Sequence, residues 1–248
     1  MIFRVIVVGG PCGPWIGRCL SSLSEQTDKE WTCGVVLDKC DDAADKAVQI
    51  ASADNRFQVA VNMEHRRALP NIIRSISMQG PAQEDVLVTL DADDWLNGPD
   101  VLSKVRAAYA AQPNLLITYG SWVGHPDPTA VNNSNPYQRH EFTDGSLRRG
   151  PWRGSHLRTF KHKLWSLVKD EDLRDRNGKF YECAWDLAFM WPMLEMAGHD
   201  RSKWFPDRLY VYNRETLHND EKLRSPEQYR NHQEIMSKKP YTRAFEGL

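Results

Sequence analysis

Hydrophobic positions in this 248-residue chain fall into short apolar runs that alternate with helical stripes. Phe3-Arg4-Val5-Ile6-Val7-Val8 is a β-rich run closed by Gly9-Gly10-Pro11, which reads as a buried first strand and its turn. Ile16, Cys19, Leu20 and Leu23 then recur at helical spacing within residues 15–26. A second strand, Thr32 to Leu37, ends at Asp38. Residues 41–53 read as a helix whose start is favoured by Asp41 and Asp42. A strand at Phe57–Val61 and a helix at Leu69–Met78 follow. Val86-Leu87-Val88-Thr89-Leu90 is the clearest strand, and it ends at Asp91. Pro99 is placed to open a helix reaching about Ala111, and Leu115–Tyr119 is a further strand. Residues 121–155, rich in Gly, Pro, Asn and Asp, read as a long loop over the site or a lid. Residues 181–197 read as a helix stopped near Gly198, and 209–212 as a last strand or extended turn.

Strands alternating with helices predict βαβ units and a mainly parallel central sheet flanked by helices, an α/β fold. The expected division is a ligand-binding α/β part at 1–120 and a second part of the same domain at 121–248. In an open parallel sheet, ligands bind outside the carboxyl ends of the strands. Asp38 and Asp91 stand at two such ends.

Composition is that of an ordinary globular protein, 41% hydrophobic and 26% charged. No stretch approaches the ~20 apolar residues that span a bilayer, and the N-terminal run is too short for a signal peptide. The five cysteines are odd in number and form no Cys-x-x-Cys pair, which fits a reducing compartment. A cytoplasmic protein without a membrane span is therefore expected. Charge is uneven: residues 1–100 hold 9 Lys and Arg against 15 Asp and Glu, and residues 101–248 hold 23 against 18, giving −6 and +5. An acidic first part suits a metal site and a basic second part suits an anion.

The most informative stretch is Leu90-Asp91-Ala92-Asp93-Asp94-Trp95-Leu96. Three carboxylates in four residues after a buried strand repel one another, and Mn²⁺ or Mg²⁺ cancels that repulsion while bridging to a diphosphate. The plainer alternative is a solvated loop whose acids cap the following helix.

These residues resemble the GT-A-fold glycosyltransferases, family 2 type, and the resemblance covers most of the chain. Cys19-Leu20-Ser21-Ser22-Leu23-Ser24-Glu25-Gln26-Thr27 is similar to the family's helix ending in Gln-Thr. Val35-Val36-Leu37-Asp38-Lys39-Cys40-Asp41-Asp42 is similar to its Val-Asp-Asp-Gly-Ser-x-Asp segment, and Leu90–Leu96 to its Leu-Asp-x-Asp-Asp signature. Met193–Gly198 followed by Phe205–Tyr212 is similar to its Ala-Gly helix end and Pro-x-x-Leu-x-x-Tyr-Arg strand. The resemblance implies transfer of a sugar from a UDP-, GDP- or dTDP-sugar to an acceptor hydroxyl, with inversion and with a divalent metal. It implies that Asp38 bonds the base, that Asp91 lies near ribose and metal, and that Asp93 ligates the metal. Gly9 and Pro11 fall in the nucleotide-binding turn. The chain departs from the pattern there, with Gly9-Gly10-Pro11-Cys12 in place of Pro-x-Tyr-Asn, and Leu37 replaces the first paired acid.

The family's general base is the Asp of a Glu-Asp pair opening a helix. The matching position is Asp186, with Trp185 in place of the Glu. Glu182, four residues earlier, shares its face if the helix already runs there, and is the alternative base. His218 matches a His that some relatives use near the metal, or is a surface residue. Arg214 suits the leaving diphosphate, or a surface ion pair.

Residues 145–169 carry Arg148, Arg149, Arg153, Arg158, Lys161, Lys163 and Lys169 and no acid, interleaved with Trp152, His156, Phe160, His162 and Trp165. Arg158 and Trp152 would contact the diphosphate or an anionic acceptor, glycan or nucleic acid. A solvated basic face is the duller reading. Two other functions compete: a haloacid-dehalogenase-type phosphatase, whose motif needs Thr or Val where Trp95 stands, and a GT-A-like protein that binds sugar nucleotides or glycans with little or no turnover.

Overall fold

The computed structural model describes residues 1–39, 41–130, 132, 134–216 and 225–245. Its strands are β1 (Phe3–Gly9), β2 (Trp31–Asp38), β3 (Phe57–Asn62), β4 (Val86–Asp91), β5 (Trp95–Leu96), β6 (Ile117–His125), β7 (Arg158–Lys161) and β8 (Ser202–Asn213). The helices are α1 (Gly13–Ser24), α2 (Asp41–Ala53), α3 (Ala68–Gln79), α4 (Val101–Ala111), α5 (His162–Trp165), α6 (Trp185–Ala197) and α7 (Ser225–Ser237).

One eight-stranded sheet runs β3-β2-β1-β4-β7-β6-β8-β5. The β3-β2-β1-β4 half is parallel throughout, as the alternation of strands and helices requires. Beyond it β7 is antiparallel to both neighbours, β8 parallel to β6, and β5 antiparallel to β8. The sheet is therefore parallel on one side and mixed on the other.

Period-2 alternation decides which core each residue of β1 enters. Phe3, Val5 and Val7 join one apolar cluster with Ile16 of α1, Ala43 of α2 and Val101 of α4. Ile6 and Val8 join the opposite cluster with Ile72 of α3 and Phe189 of α6. Helix α6 is apolar on nearly every side, with ten of its residues buried and Pro192 inside it, which marks a helix enclosed by other elements.

The largest differences from the sequence pattern lie in the C-terminal part. Helix α6 starts at Trp185, not 181, because Ala184 takes left-handed dihedrals (φ 54°, ψ 22°). Glu182 therefore lies in the turn before the helix and does not share its face with Asp186. Residues 134–155 contribute to the core: Tyr137 and Leu147 are buried, and a 3₁₀ turn spans Arg139–Phe142. No described residue of that stretch lines the main cleft. Among the described residues, no helix is long and apolar enough to cross a membrane.

Candidate active site

A cleft of about 660 Å³ opens at the carboxyl ends of β1, β2 and β4, where a parallel sheet binds its ligands. Gly9, Pro11, Asp38, Asp91 and Asp93 line it from these strand ends. Arg158, Glu182 and Asp186 line it from the C-terminal part. Eight of the residues expected at a site thus meet in one place.

Asp38 ends β2 and is buried. Its Oδ1 accepts hydrogen bonds from Asn62 Nδ2 and Asn71 Nδ2, both 2.9 Å, and its Oδ2 accepts from the Arg67 backbone N–H at 2.8 Å. Burial opposes the charge. The Asn71 and Asn62 amides and the N–H groups of Arg66 and Arg67 outweigh it and hold the carboxyl below the usual range. Arg67 achieves this with φ 69° and ψ −178°, a region nearly restricted to glycine that costs of order 1–3 kcal/mol. Its side chain meets Glu182 at 3.4 Å across the cleft.

The acidic turn after β4 is fixed by backbone bonds. Ala92 N–H donates to Val8 O (2.9 Å) and Asp94 N–H to Asp91 O (3.0 Å). The close approach to β1 requires Gly9, since a Cβ there would lie 2.5 Å from Ala92 Cβ. Gly9 therefore acts by letting the acidic turn close on β1, in addition to lining the cleft. The three acids do not behave alike. Asp94 is fully buried, and it accepts from Tyr210 Oη (2.6 Å) and from Asn213 N–H (2.7 Å). Burial first, then repulsion from Asp93 and Asp91, pushes its carboxyl well above the ordinary value. All three acids line the cleft, but the Asp94 oxygens are taken by Tyr210 and Asn213, which tie the turn to β8, so Asp91 and Asp93 are the two candidates to hold a cation.

Those two carboxylates fit a small hard cation. Such ions take one or two protein carboxylates, with phosphate oxygens and water completing the shell. Among the described residues no group of three His, Cys, Asp or Glu converges as a closed metal cage, so the ligand's own oxygens would supply the rest. His218 lies outside the described residues.

On the other wall, Asp186 is in the first turn of α6. Its Oδ2 accepts from Arg158 Nη2 at 2.6 Å. Arg158 is itself buried on β7, and also donates to Gly154 O (3.1 Å) and approaches His156 Nδ1 (3.2 Å). His156 stacks on Tyr210, centroids 4.3 Å apart. Burial, then the Arg158 charge, pulls its pKa well below the ordinary value, which disfavours the charged ring.

Two expected residues stand elsewhere. Trp152 packs edge-on against Trp191, centroids 5.6 Å apart, outside the cleft lining. Arg214 is exposed at the end of β8 and not among the lining residues. Arg67, Asn71, His156 and Tyr212 line the cleft and were not anticipated there. Asn71 had a signal, a polar side chain on the otherwise apolar Leu69-Ile72-Ile76 face of α3. Nothing local marks Arg67 for its dihedrals.

A family model described as Glycosyl transferase family 2 matches residues 5–168. No curated protein matches the chain. Among solved structures, S. aureus TarS 1-349 is similar at 16% identity and TM-score 0.62, over 86% of this chain and 60% of that one. The same protein in complex with UDP-GlcNAc aligns at 16% identity and TM-score 0.59, over 86% and 59%. Mannosyltransferase PcManGT from Pyrobaculum calidifontis, in complex with GDP-Man and Mn²⁺, aligns at 17% identity and TM-score 0.62, over 96% and 65%. The chain thus spans about 60% of the length of these TarS chains. These likenesses establish the shared GT-A architecture.

Proposed function

Because this chain belongs to glycosyl transferase family 2, we propose that it moves a sugar from a nucleoside-diphosphate sugar to an acceptor hydroxyl, with inversion at the anomeric carbon. One observation carries the reading. Asp38, the Asp91/Asp93 pair and Asp186 come from three separate segments, yet all line a single cleft. Structures of the same fold hold UDP-GlcNAc and GDP-Man, which supports a nucleotide-sugar donor for this chain.

Each residue has a distinct task in this scheme. Asp38, preset by Asn62, Asn71 and the Arg67 N–H, accepts a hydrogen bond from the base, with Gly9 and Pro11 shaping the wall beside it. Asp91 and Asp93 hold Mn²⁺ or Mg²⁺, with His218 a further candidate ligand. When bound, the metal supplies positive charge against the leaving diphosphate. Asp186 is the general base. Arg158 engages its Oδ2, so Oδ1 is the atom that takes the proton as the acceptor oxygen attacks the anomeric carbon and the bond to the diphosphate breaks. Glu182, 41% exposed and paired with Arg67, is the less suited candidate for that role. Arg158 orients the base, and Arg214 stays a candidate for the departing diphosphate. A cytoplasmic site of action fits the four described cysteines, all of which are buried.

Titrating UDP, GDP and dTDP with and without Mn²⁺ tests the scheme. One nucleotide should bind in a metal-dependent manner, and Asp93→Ala should lower that affinity at least about tenfold. Equal binding in the variant, or an acyl-phosphate on Asp91, sinks the assignment.

A further inference from the structure

The cations of the basic stretch 145–169 find partners within the protein. Arg148 is paired with Glu195, Arg153 with Glu141, and Arg158 with Asp186. Lys161 and Lys163 share Glu84, Lys169 meets Glu171, and Arg149 donates to Asp144 O. All seven cations are thus engaged within the protein.

The cleft itself has the same character. Among the described residues, the guanidinium groups that line it are Arg67 and Arg158, and each has a carboxylate partner. His156 is buried beside Arg158, which disfavours a charge on its ring. The wall that carries the base instead presents acids and aromatic faces. Asp186 and Glu182 flank Trp185, which is half-buried and lines the cleft. Trp185 is the first residue of α6, immediately before Asp186, so helix geometry ties its indole to the base. Phe189 one turn on (centroids 6.0 Å) and the Arg158 guanidinium (5.8 Å) pack near it and limit its movement. Tyr212, also half-buried and lining, rests against Trp122 with centroids 4.9 Å apart.

Among the described residues, an anionic acceptor reaching Asp186 would meet the Asp186 and Glu182 carboxylates beside guanidinium groups already paired with them, an arrangement that like-charge repulsion disfavours. A sugar ring has the opposite needs. Its axial C–H face buries against a flat aromatic ring, and its hydroxyls donate to carboxylates. We propose that the acceptor is an uncharged saccharide whose ring stacks on Trp185, presenting its hydroxyl to Asp186. Trp185 is then the residue that selects the acceptor class. The proposal rests on the transferase reading and adds the chemistry of the second substrate.

Saturation-transfer NMR on the whole protein, loaded with the nucleotide and Mn²⁺ that bind it, tests this. The probes are neutral oligosaccharides covering gluco-, galacto-, manno- and N-acetylhexosamine rings, a sulfated oligosaccharide, and a single-stranded oligonucleotide. At least one neutral probe should bind. Trp185→Ala should weaken it about tenfold and Trp185→Phe by no more than about threefold, while nucleotide affinity stays unchanged in both. The proposal fails if no neutral probe binds, if only the charged probes do, or if Trp185→Ala binds sugar as the parent does. Failure of the parent protein to bind any nucleotide sinks the transferase reading instead, so the two outcomes are separable. Should Trp185→Ala misfold, Trp185→Phe and the charged-probe arm still decide.

Discussion

The two walls of the cleft are built by different physics. The β3-β2-β1-β4 wall is a ladder of parallel backbone hydrogen bonds with apolar clusters on both faces, and its acids emerge where strands end. The opposite wall is held largely by arginines. Arg148 bonds Glu195 and the carbonyls of Ile235 and Lys238, which fastens α7 to α6. Arg153 ties Glu141 to the Pro136 carbonyl, and Arg158 joins β7 to α6 through Asp186. Backbone ladders tolerate the loss of one side chain. A buried guanidinium deprived of its carboxylate does not, because the remaining charge stays desolvated. The first wall should therefore persist where the second fails.

The contrast is greatest where the arginine network meets the chemistry. Asp186→Asn keeps an oxygen for Arg158 but no longer takes a proton. We expect kcat to fall about 10²–10⁴-fold with metal-dependent nucleotide binding unchanged, because Asp38, Asp91 and Asp93 stand on the other wall. A matching loss of nucleotide affinity would show that the walls are not separable.

A second prediction removes a pair far from the chemistry. Arg148 and Glu195 have side chains only 5% and 9% exposed, in a two-pronged contact at 2.6 and 2.7 Å. Glu195→Ala should cost about 3–5 kcal/mol of unfolding free energy, measured by urea denaturation. The exposed pair Lys169–Glu171 makes the control, since breaking it should cost no more than about 1 kcal/mol. Equal effects would remove the distinction between buried and surface pairs that the second wall depends on.

The same division explains what the amino-acid pattern revealed. Val86–Leu90 reads as a strand because it is buried on both faces, and Asp91 then falls at its end by geometry. The first four strands and three helices follow such rules, and so do Asp38, Asp91 and Asp93. Strand β7, Arg-Thr-Phe-Lys, carries charges at both ends that are buried by pairing, so no apolar alternation announces it. Helix α7 buries Ile235 alone and shows no stripe. The start of α6 depends on a left-handed Ala184, a conformation no residue type there signals. The cations of 145–169 suggested an anion site because their acidic partners, Glu84, Glu141, Asp186 and Glu195, lie far off in sequence. Asp186 itself was legible only through its family resemblance.

The smallest expected effect concerns His156, where the arginine network touches the aromatic packing. Its pKa lies well below the ordinary 6.5, through burial first and the neighbouring Arg158 charge second. The unfolded chain protonates this histidine near pH 6.5 and the folded protein only at lower pH. Between the two values the unfolded state holds more protons, so stability falls as pH drops below 6.5, by up to about 1.4 kcal/mol per pH unit. His156→Phe keeps a ring against Tyr210 and removes the titration. The variant loses the contact to Arg158, which shifts its stability by a constant amount, but its slope below pH 6.5 should be shallower than that of the parent. Urea midpoints at pH 7.5, 6.5 and 5.5 read that slope directly. Parallel curves for the two proteins would mean that His156 is protonated as readily in the fold as in water, and that this part of the second wall is open to solvent.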